Sequence, residues 1–522
     1  MENQNVHYDY VIIGSGFGGS VSALRLSEKG YKVLVIEKGK KYEAKDFPTT
    51  NWNLKRWLWL PALRFLGFFK ITFFRHVTIL SGVGLGGGSL VYANTLPIPK
   101  KEFFNSKSWS HLANWEKELK PFYLIAKKML GATKNPRLEF GDKTLQVVAK
   151  KNKKEEKFEA TDVAVFFGKP EQHVADPYFG GEGPERAGCN FCGACMIGCS
   201  YNAKNTLDKN YLYLAKKNNA DFLTETKVYD VIPFENNSEN FYRVKWKSST
   251  KLFKRKGEII TKGIVFSGGV LGTIPLLLKL KSTSLPKLSD KVGKNIRTNS
   301  ESLLGITSTD KNKDFSKGVA IGSIFHTDKY SHLEAVRYPS GSGFWRTQML
   351  PMLDGNNWIT RLFKVIAEII FHPIKWLKLF FVKDWAKQTQ ILLFMQTIND
   401  TLSFERGWLR LKTKLQNGKA PTAFIPEARK LAKEFAKIVE GEPVALLSET
   451  LFGIPTTAHI LGGAVMGKDK TEGVIDKNHK VFGYENMYVC DGSAVSANPG
   501  VNPSLTITAL AERAMSKIPP KR

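Results

Sequence analysis

The chain has 522 residues, and at about 150 residues per domain that makes roughly three domains, although α/β enzymes often run larger as one interwoven body. With 42% hydrophobic and 24% charged residues, it is neither a mini-protein nor a wholly disordered chain. Its 77 lysines and arginines against 48 aspartates and glutamates leave a formal net charge of +29, which favours anionic surfaces such as nucleic acid, acidic lipid headgroups or acidic substrates without choosing among them.

The N-terminus, MENQNVHYDYVIIGSG, enters an apolar run directly, with no basic region, long apolar core or small-residue cleavage site, and the expectation is cytoplasmic residence. Tyr8 to Ile13 predicts a short buried strand, followed by a glycine turn, an amphipathic helix to about Gly30 and a second strand from Lys32 to Ile36. This is a βαβ unit. Trp52 to Phe74 mixes Trp, Phe and Leu with Lys55, Arg56, Arg64 and Lys70. Next come a glycine cluster from Ser81 to Asn94 and a charge run, KKNKKEEK, from Lys150 to Lys157. The charge run reads as a solvated loop or helix end. Four of the five cysteines fall together as Cys189, Cys192, Cys195 and Cys199, a pattern of metal or redox chemistry in a reducing compartment rather than of a disulfide scaffold.

Trp358 to Trp385 places Arg361, Lys364, Glu368, His372, Lys375 and Lys378 every three or four residues among Leu, Ile, Phe and Trp. That spacing draws a narrow polar stripe along a mostly apolar helix, which Pro373 would kink. Neither this segment nor Trp52–Phe74 has the nearly uncharged 20 or so residues of a membrane span. Two readings remain: a basic amphipathic helix lying in the lipid interface, or an internal helix packed on the protein core. No helix-turn-helix, zinc-finger or aromatic RNA-binding signature accompanies the basic residues, and no nucleic-acid partner is expected. The last sixty or so residues carry dense glycine, proline and asparagine punctuation, which suits loops that build a site.

Gly14-Ser15-Gly16-Phe17-Gly18-Gly19 supplies G-x-G-x-x-G between a strand and a helix, and Glu37 closes the second strand. Gly14 permits the tight turn, Gly16 lets the backbone approach a pyrophosphate, and Gly19 lets the helix pack closely on the strand. The helix N-terminus offers free N–H groups to the diphosphate. Glu37 would accept the ribose hydroxyls. The motif alone does not separate FAD from NAD, but its N-terminal position and the second cluster, Gly84-Leu85-Gly86-Gly87-Gly88-Ser89-Leu90-Val91-Tyr92-Ala93-Asn94, lean toward a flavin held along its length. Glycines there bare the main chain toward a planar ring or phosphate.

With these pieces, with VFSGGVLGT at Val265 to Thr273, and with the C-terminal block Ala458-His459-Ile460-Leu461-Gly462-Gly463, Val489-Cys490-Asp491-Gly492-Ser493 and Asn498-Pro499-Gly500-Val501-Asn502-Pro503-Ser504, the chain resembles the glucose-methanol-choline (GMC) family of FAD-dependent oxidoreductases over nearly its full length. The block looks most like the cholesterol oxidase branch, with Ile460 departing from the proline of that pattern. The resemblance implies an α/β fold: a Rossmann-type FAD-binding domain built from discontinuous segments, 1–100, 216–300 and 451–522, with an inserted α+β substrate-binding domain at 301–450 and a cap region carrying the cysteines at 101–215. It implies that His459 and Asn502 face the reactive edge of the flavin. The cofactor-binding set is then Gly14, Gly16, Gly19, Glu37, Gly86, Gly87, Gly88, Ser89, Asn94, Val228, Asp491, Gly492, Asn502 and Pro503.

An imidazole titrating near neutrality can receive the hydroxyl proton of an alcohol undergoing oxidation, and Asn502 can donate to its oxygen. His332, His372 and His479 are expected to be surface or core residues. The expected reaction is FAD-dependent oxidation of a lipophilic alcohol, a sterol or a long-chain alcohol, with oxygen or a respiratory carrier as acceptor. The alternative is a membrane-docked electron-transfer flavoprotein or lipid-binding module without that activity. Peripheral contact with the inner face of a membrane is part of the expectation. Cholesterol oxidases also isomerise their product with a carboxylate. The sequence from Leu333 to Trp345 puts Gly343 or Phe344 at that position and Glu334 away from it, which argues against isomerisation and against a steroid. Finally, C-x2-C-x2-C-x3-C has ferredoxin-like spacing, leaving an iron–sulfur cluster, tetrahedral zinc or metal-free thiols open.

Overall fold

The computed structural model describes residues 8–355, 357–408 and 410–521; residues 1–7 of the N-terminal stretch read as lacking a leader lie outside them. The βαβ unit is present as strand β1 (Tyr8–Ile13), helix α1 (Phe17–Glu28) and strand β2 (Val33–Ile36). The helix stops two residues earlier than expected, and Gly30 takes φ +83° in the turn that follows, a conformation that costs glycine little.

Trp52–Phe74 forms no long helix. Asn53 caps a single turn, Leu54–Trp57; a short hairpin pairs Trp59–Leu60 with Phe65–Leu66, and strand β3 (Phe69–Phe73) follows, paired with β4 (Thr78–Gly82). Two local causes override helical spacing. Pro61 opens a tight turn at the hairpin tip, and Gly67 passes so near the Trp57 backbone that a Cβ there would lie 2.3 Å from its carbonyl carbon. Trp57 is then buried, its ring stacked on Phe69 at 4.7 Å.

Strand β5 (Asp221–Leu223) adds to the edge of β2. The long antiparallel meander β6 (Thr226–Asn236), β7 (Glu239–Ser248) and β8 (Lys256–Phe266) closes the other side, with β8 running parallel to β1. Helix α2 (Val270–Lys281) leaves the end of β8. A second, wholly antiparallel sheet is built around β9 (Ser302–Ser308), β10 (Ile321–Phe325) and β11 (Ser331–Val336).

The segment 358–385 is broken at Pro373 into α3 (Trp358–Phe371) and α4 (Pro373–Phe380), with Pro373 at the first position of the second helix, where its missing N–H is not needed. The amphipathicity is inverted relative to an internal helix. Arg361 is buried and donates to the carbonyls of Leu451 (2.8 Å) and Gly355 (2.7 Å), while Lys375 and Trp376 donate to Glu368. The polar stripe therefore holds the helices to the protein. Phe363, Ile370, Phe371, Ile374 and Phe381 are left 65–77% exposed, which overturns the reading of an internally packed helix. Among the described residues no helix is long and apolar enough to cross a membrane.

Strand β12 (Thr389–Gln396) and strand β13 (Gly441–Leu446) complete the core of the second sheet on either side of β9. The chain then returns to the first half. Strand β14 (Thr456–Thr457) pairs with β4, β15 (Met487–Val489) runs parallel to β8, and α5 (Ser504–Ser516) packs against α1. One continuous buried cluster joins N-terminal strand, central meander and C-terminal helix, and a separate one fills the second sheet. The site lies between them.

Candidate active site

A cavity of about 840 Å³ runs from the glycine turn to the second sheet. Its first arm is lined by Gly14, Gly16, Glu37, Gly87, Gly88, Val228, Asp491 and Gly492. The glycines divide by what a side chain would meet. A Cβ at Gly18 would fall 1.5 Å from the Cys490 carbonyl oxygen and one at Gly19 2.0 Å from that of Gly14, so both serve packing. A Cβ at Gly16 would find its nearest neighbour, Ser267 O, only at 4.0 Å, and at Gly269 and Gly272 nothing within 4 Å. These three expose bare main chain to open space at the starts of α1 and α2, a cradle that a dinucleotide diphosphate fits.

Glu37 accepts from Ser15 N (3.2 Å), Ser15 Oγ (2.8 Å) and Gly39 N (2.8 Å), so its carboxylate is held rigidly beside the turn. Asp491 accepts from Gly269 N at 2.9 Å, Thr273 Oγ1 at 2.5 Å and Ser493 N at 2.8 Å, tying the start of α2 to the C-terminal block. Four residues of the expected cofactor set are not on the wall. Gly19 packs on the turn, and Gly86 sits at φ +106°. Ser89 is buried, donating to Gly86 O (2.7 Å) and accepting from Leu207 N (3.0 Å). Asn94 is buried between the wall residues Ala93 and Thr95, with its side chain toward Cys195. They shape the loop that presents Gly87 and Gly88.

The second arm carries His459, Glu301 and Asn502. Glu301, just before β9, is 1% exposed and was not singled out from sequence, where nothing distinguishes it from other strand-flanking acids. It accepts from Thr457 Oγ1 (2.7 Å) and Ala458 N (3.3 Å) and meets His459 Nδ1 at 2.7 Å. Holding Nδ1 leaves Nε2 as the nitrogen for a ligand in the cavity. Burial by itself lowers the His459 pKa; the charge and hydrogen bond of Glu301, then the charge of Glu334, outweigh it and raise the pKa above the ordinary 6.5.

Asn502 donates from Nδ2 to Glu334 Oε2 at 3.4 Å, and its Oδ1 is buried without a partner. Glu334, on β11, thus stands directly behind Asn502, contrary to the expectation that placed it away from the site. An inward-facing strand position brings it there, which counting along the loop to Trp345 did not capture. Burial pushes its carboxyl up to about 8. It faces His332 Nε2 at 3.3 Å, and that imidazole is driven down to about 3 by burial, then by Lys100 and His459. The two meet as neutral groups. His479, buried and bonded to Val489 O at 2.7 Å, is a core residue, and His372 caps the break between α3 and α4.

Beyond this polar cluster the wall is apolar: Leu303, Ile321, Val336, Trp345, Ile391 and Leu446. None of these was marked in the sequence as a site residue, because a strand's inner face reads as core. Arg346, next to Trp345, donates to Val382 O at 2.7 Å, which tethers the end of α4 beside this half of the cavity.

Models of the N- and C-terminal parts of GMC oxidoreductases match residues 8–300 and 392–511. The chain is 44% identical to a cholesterol oxidase of Acinetobacter baumannii, with all of this chain and 96% of the relative covered. The chain belongs to the GMC oxidoreductase family. It is an FAD-dependent, alcohol-oxidising enzyme. At 25% identity it also matches the long-chain-alcohol oxidase FAO4B of Arabidopsis thaliana, covering 98% of this chain and 67% of the relative. In fold it is similar to the crystal structure of pyridoxine 4-oxidase from Mesorbium loti, with a TM-score of 0.62 at 14% identity, covering 98% and 99% of the two chains.

Of the three alternatives left open for the cysteines of this GMC oxidoreductase, the structure has the metal-free thiols. Among the described residues no three or more His, Cys, Asp or Glu side chains are arranged to hold a metal ion, and Cys189, Cys192, Cys195 and Cys199 are free thiols. Turns at Gly193 (φ +75°) and Gly198 (φ +90°) fold the motif into an apolar cluster with Val163, Val165 and Val319. Burial pushes Cys192 up to about 12 and raises Cys189 and Cys195 as well.

Replacing Glu301 with Gln removes the charge that raises His459 while leaving its burial, so the imidazole should titrate below its ordinary value. A base that works in its neutral form loses activity as pH falls through its pKa. The acidic limb of the pH profile for anaerobic flavin reduction should therefore move to lower pH in E301Q, and a limb that stays in place removes Glu301 from this role.

Proposed function

We propose that this protein oxidises the CH–OH group of a lipophilic alcohol, a sterol or a long-chain alcohol, with the alcohol in the apolar arm and its hydroxyl between His459 and Asn502. The observation that carries this is the juxtaposition, at 840 Å³ scale, of a bare glycine cradle, one imidazole held by a buried carboxyl, and a wholly apolar pocket. In this reading residues 1–100, 216–300 and 451–522 hold the cofactor, while 101–215 and 301–450 serve the substrate.

The glycine cradle with Glu37 and Asp491 would hold FAD, which would supply the acceptor for the hydride of the carbinol carbon. His459 Nε2 takes the hydroxyl proton, so that the product leaves as a neutral carbonyl. Glu301 sets the tautomer and orientation of His459. Asn502 positions the substrate oxygen, and the start of α5, behind Pro503, directs free backbone N–H groups into the cavity. Ile321, Val336 and Leu446 keep water from the reacting carbon.

Anaerobic mixing with sterols and long-chain alcohols tests the assignment: one of them should bleach the flavin. With that substrate, H459A and N502L should slow bleaching by roughly 10²–10⁴-fold at unchanged FAD content. Unimpaired rates in both variants would remove the roles, and no bleaching by any alcohol would favour the electron-transfer or lipid-binding alternative.

The position of Glu334 supports a second step when the substrate is a sterol. In its ionised form the Glu334 carboxylate beside Asn502 would take the proton from the carbon between carbonyl and double bond and then, as the carboxylic acid, return it to the far carbon of the double bond, moving that bond into conjugation. E334Q should then release unconjugated ketone while flavin reduction stays within about threefold of the parent; conjugated product from E334Q would eliminate this proposal.

A lipophilic substrate resides in membrane, and α3 and α4 supply the means to reach it, at the inner face of the membrane. Arg361 and Lys364 bond α3 to the protein, leaving Phe363, Phe371 and Phe381 outward on a stretch that also exposes Lys378 and Lys383, a pairing of apolar and basic groups suited to anionic lipid. Changing those three phenylalanines to serine should weaken co-sedimentation with anionic liposomes by roughly a hundredfold, and equal sedimentation would argue that another surface docks.

A further inference from the structure

Past Glu37, the cofactor arm of the cavity ends among lysines that alcohol oxidation does not use. Lys38, Lys70, Lys227, Lys247, Lys254 and Lys279 all line it. They come from separate parts of the chain: just after β2, from β3, β6 and β7, from the turn before β8, and from α2. Strand register makes this more than crowding. Lys227 on β6 is the cross-strand partner of Lys247 on β7, and Lys247 is in turn the partner of Lys256 on β8. Three like charges thus stand in one row across neighbouring strands, an arrangement that destabilises a sheet left to itself.

The charged groups acting on these lysines are largely one another. Burial, then Lys38 and Lys227, push Lys70 down to about 8. Burial, then Lys38, Lys247, Lys254 and Lys279, lower Lys227. Glu37 is the acid acting on Lys38, and its oxygens already accept from Ser15 and Gly39. Lys279 donates to Tyr229 O at 2.5 Å, and Lys247 and Lys279 lie over the Tyr229 ring at 5.6 and 5.4 Å.

Lysines on an edge strand can serve to prevent edge pairing, and β6 is an edge. That account does not reach Lys38, Lys70 and Lys279, which lie off the edge strand and line the same cavity. Nor does the cofactor use them: its diphosphate belongs to the bare main chain at the start of α1, and the adenine that would follow the ribose at Glu37 brings no charge for these ammonium groups to meet. At the rim, Arg64 donates to Thr250 O at 2.7 Å, joining the hairpin after Trp57 to the loop in which Leu252 and Phe253 are 76% and 93% exposed.

We propose that this lysine-lined arm is a second ligand site, taking a phosphate-class polyanion, dissolved or as an anionic lipid headgroup, alongside bound FAD. The FAD-loaded protein is titrated calorimetrically with inorganic tripolyphosphate at constant ionic strength, and is co-sedimented with phosphatidylcholine vesicles with and without cardiolipin. K70Q/K227Q/K254Q serves as the comparison.

Saturable tripolyphosphate binding that weakens roughly tenfold or more in the triple variant supports a dissolved ligand. Sedimentation that needs both cardiolipin and the three lysines, without tripolyphosphate binding, supports a headgroup. Equal behaviour of both proteins in both assays overturns the proposal. So does tripolyphosphate binding confined to FAD-free protein, or loss of FAD from the triple variant, since either outcome returns the lysines to the cofactor.

Should the triple variant not fold, K247Q decides. It breaks the repulsive row, so it should melt higher than the parent without polyanion and gain less from tripolyphosphate; identical melting in both conditions overturns the proposal. No arm of the test depends on which alcohol is oxidised.

Discussion

A buried carboxyl at the head of the second sheet holds the imidazole that faces the cavity. Glu301 gathers the Thr457 hydroxyl, the Ala458 amide and the His459 ring, all from the end of β14 and the residues that leave it. The contact therefore joins the antiparallel sheet to the C-terminal segment of the other half. Removing it would leave several buried polar groups without partners at once, which is costlier than the loss of any single bond. The same contact decides the chemical character of His459, because burial alone would keep the ring neutral at low pH.

The cavity changes character along its length. At one end lysines repel one another, in the middle bare main chain and a few oriented acids await a dinucleotide, and at the other end strands present only hydrocarbon. Burial acts in opposite senses on the acid and base beside the reacting position: Glu334 is carried up to about 8 and His332 down to about 3. Both are neutral near pH 7, which spares the second sheet a buried charge next to an apolar substrate.

The helices α3 and α4 reverse the usual arrangement, in which an apolar face is spent on the core. Arg361 and Glu368 bind them inward, and large apolar side chains face out. An exposed apolar surface of this extent is unfavourable in water, and its position next to the Trp345 wall ties that cost to the half of the cavity where a lipophilic molecule fits.

Local chemistry made part of this protein readable in one dimension. The glycine turn, α1, β2 and Glu37 are contiguous and each performs a task its own residue type dictates, so the dinucleotide arm was legible from Gly14, Gly16 and Glu37 alone. The break at Pro373 was legible for the same reason, a missing N–H. His459 and Asn502 were found through a block whose spacing resembles that of a family. Other features depended on which strands became neighbours. Ferredoxin-like spacing did not make a cage, because turns at Gly193 and Gly198 sent the thiols into an apolar cluster. Trp52–Phe74 became hairpin and strand once Gly67 could lie against the Trp57 backbone. Glu301 and Glu334 acquire meaning only between distant segments, since a carboxyl has no distinguishing signal until a partner some 150 residues away sets its burial and its charge. Sequence determined the parts whose function is local to the backbone, and tertiary structure decided those whose function is an interaction between distant side chains.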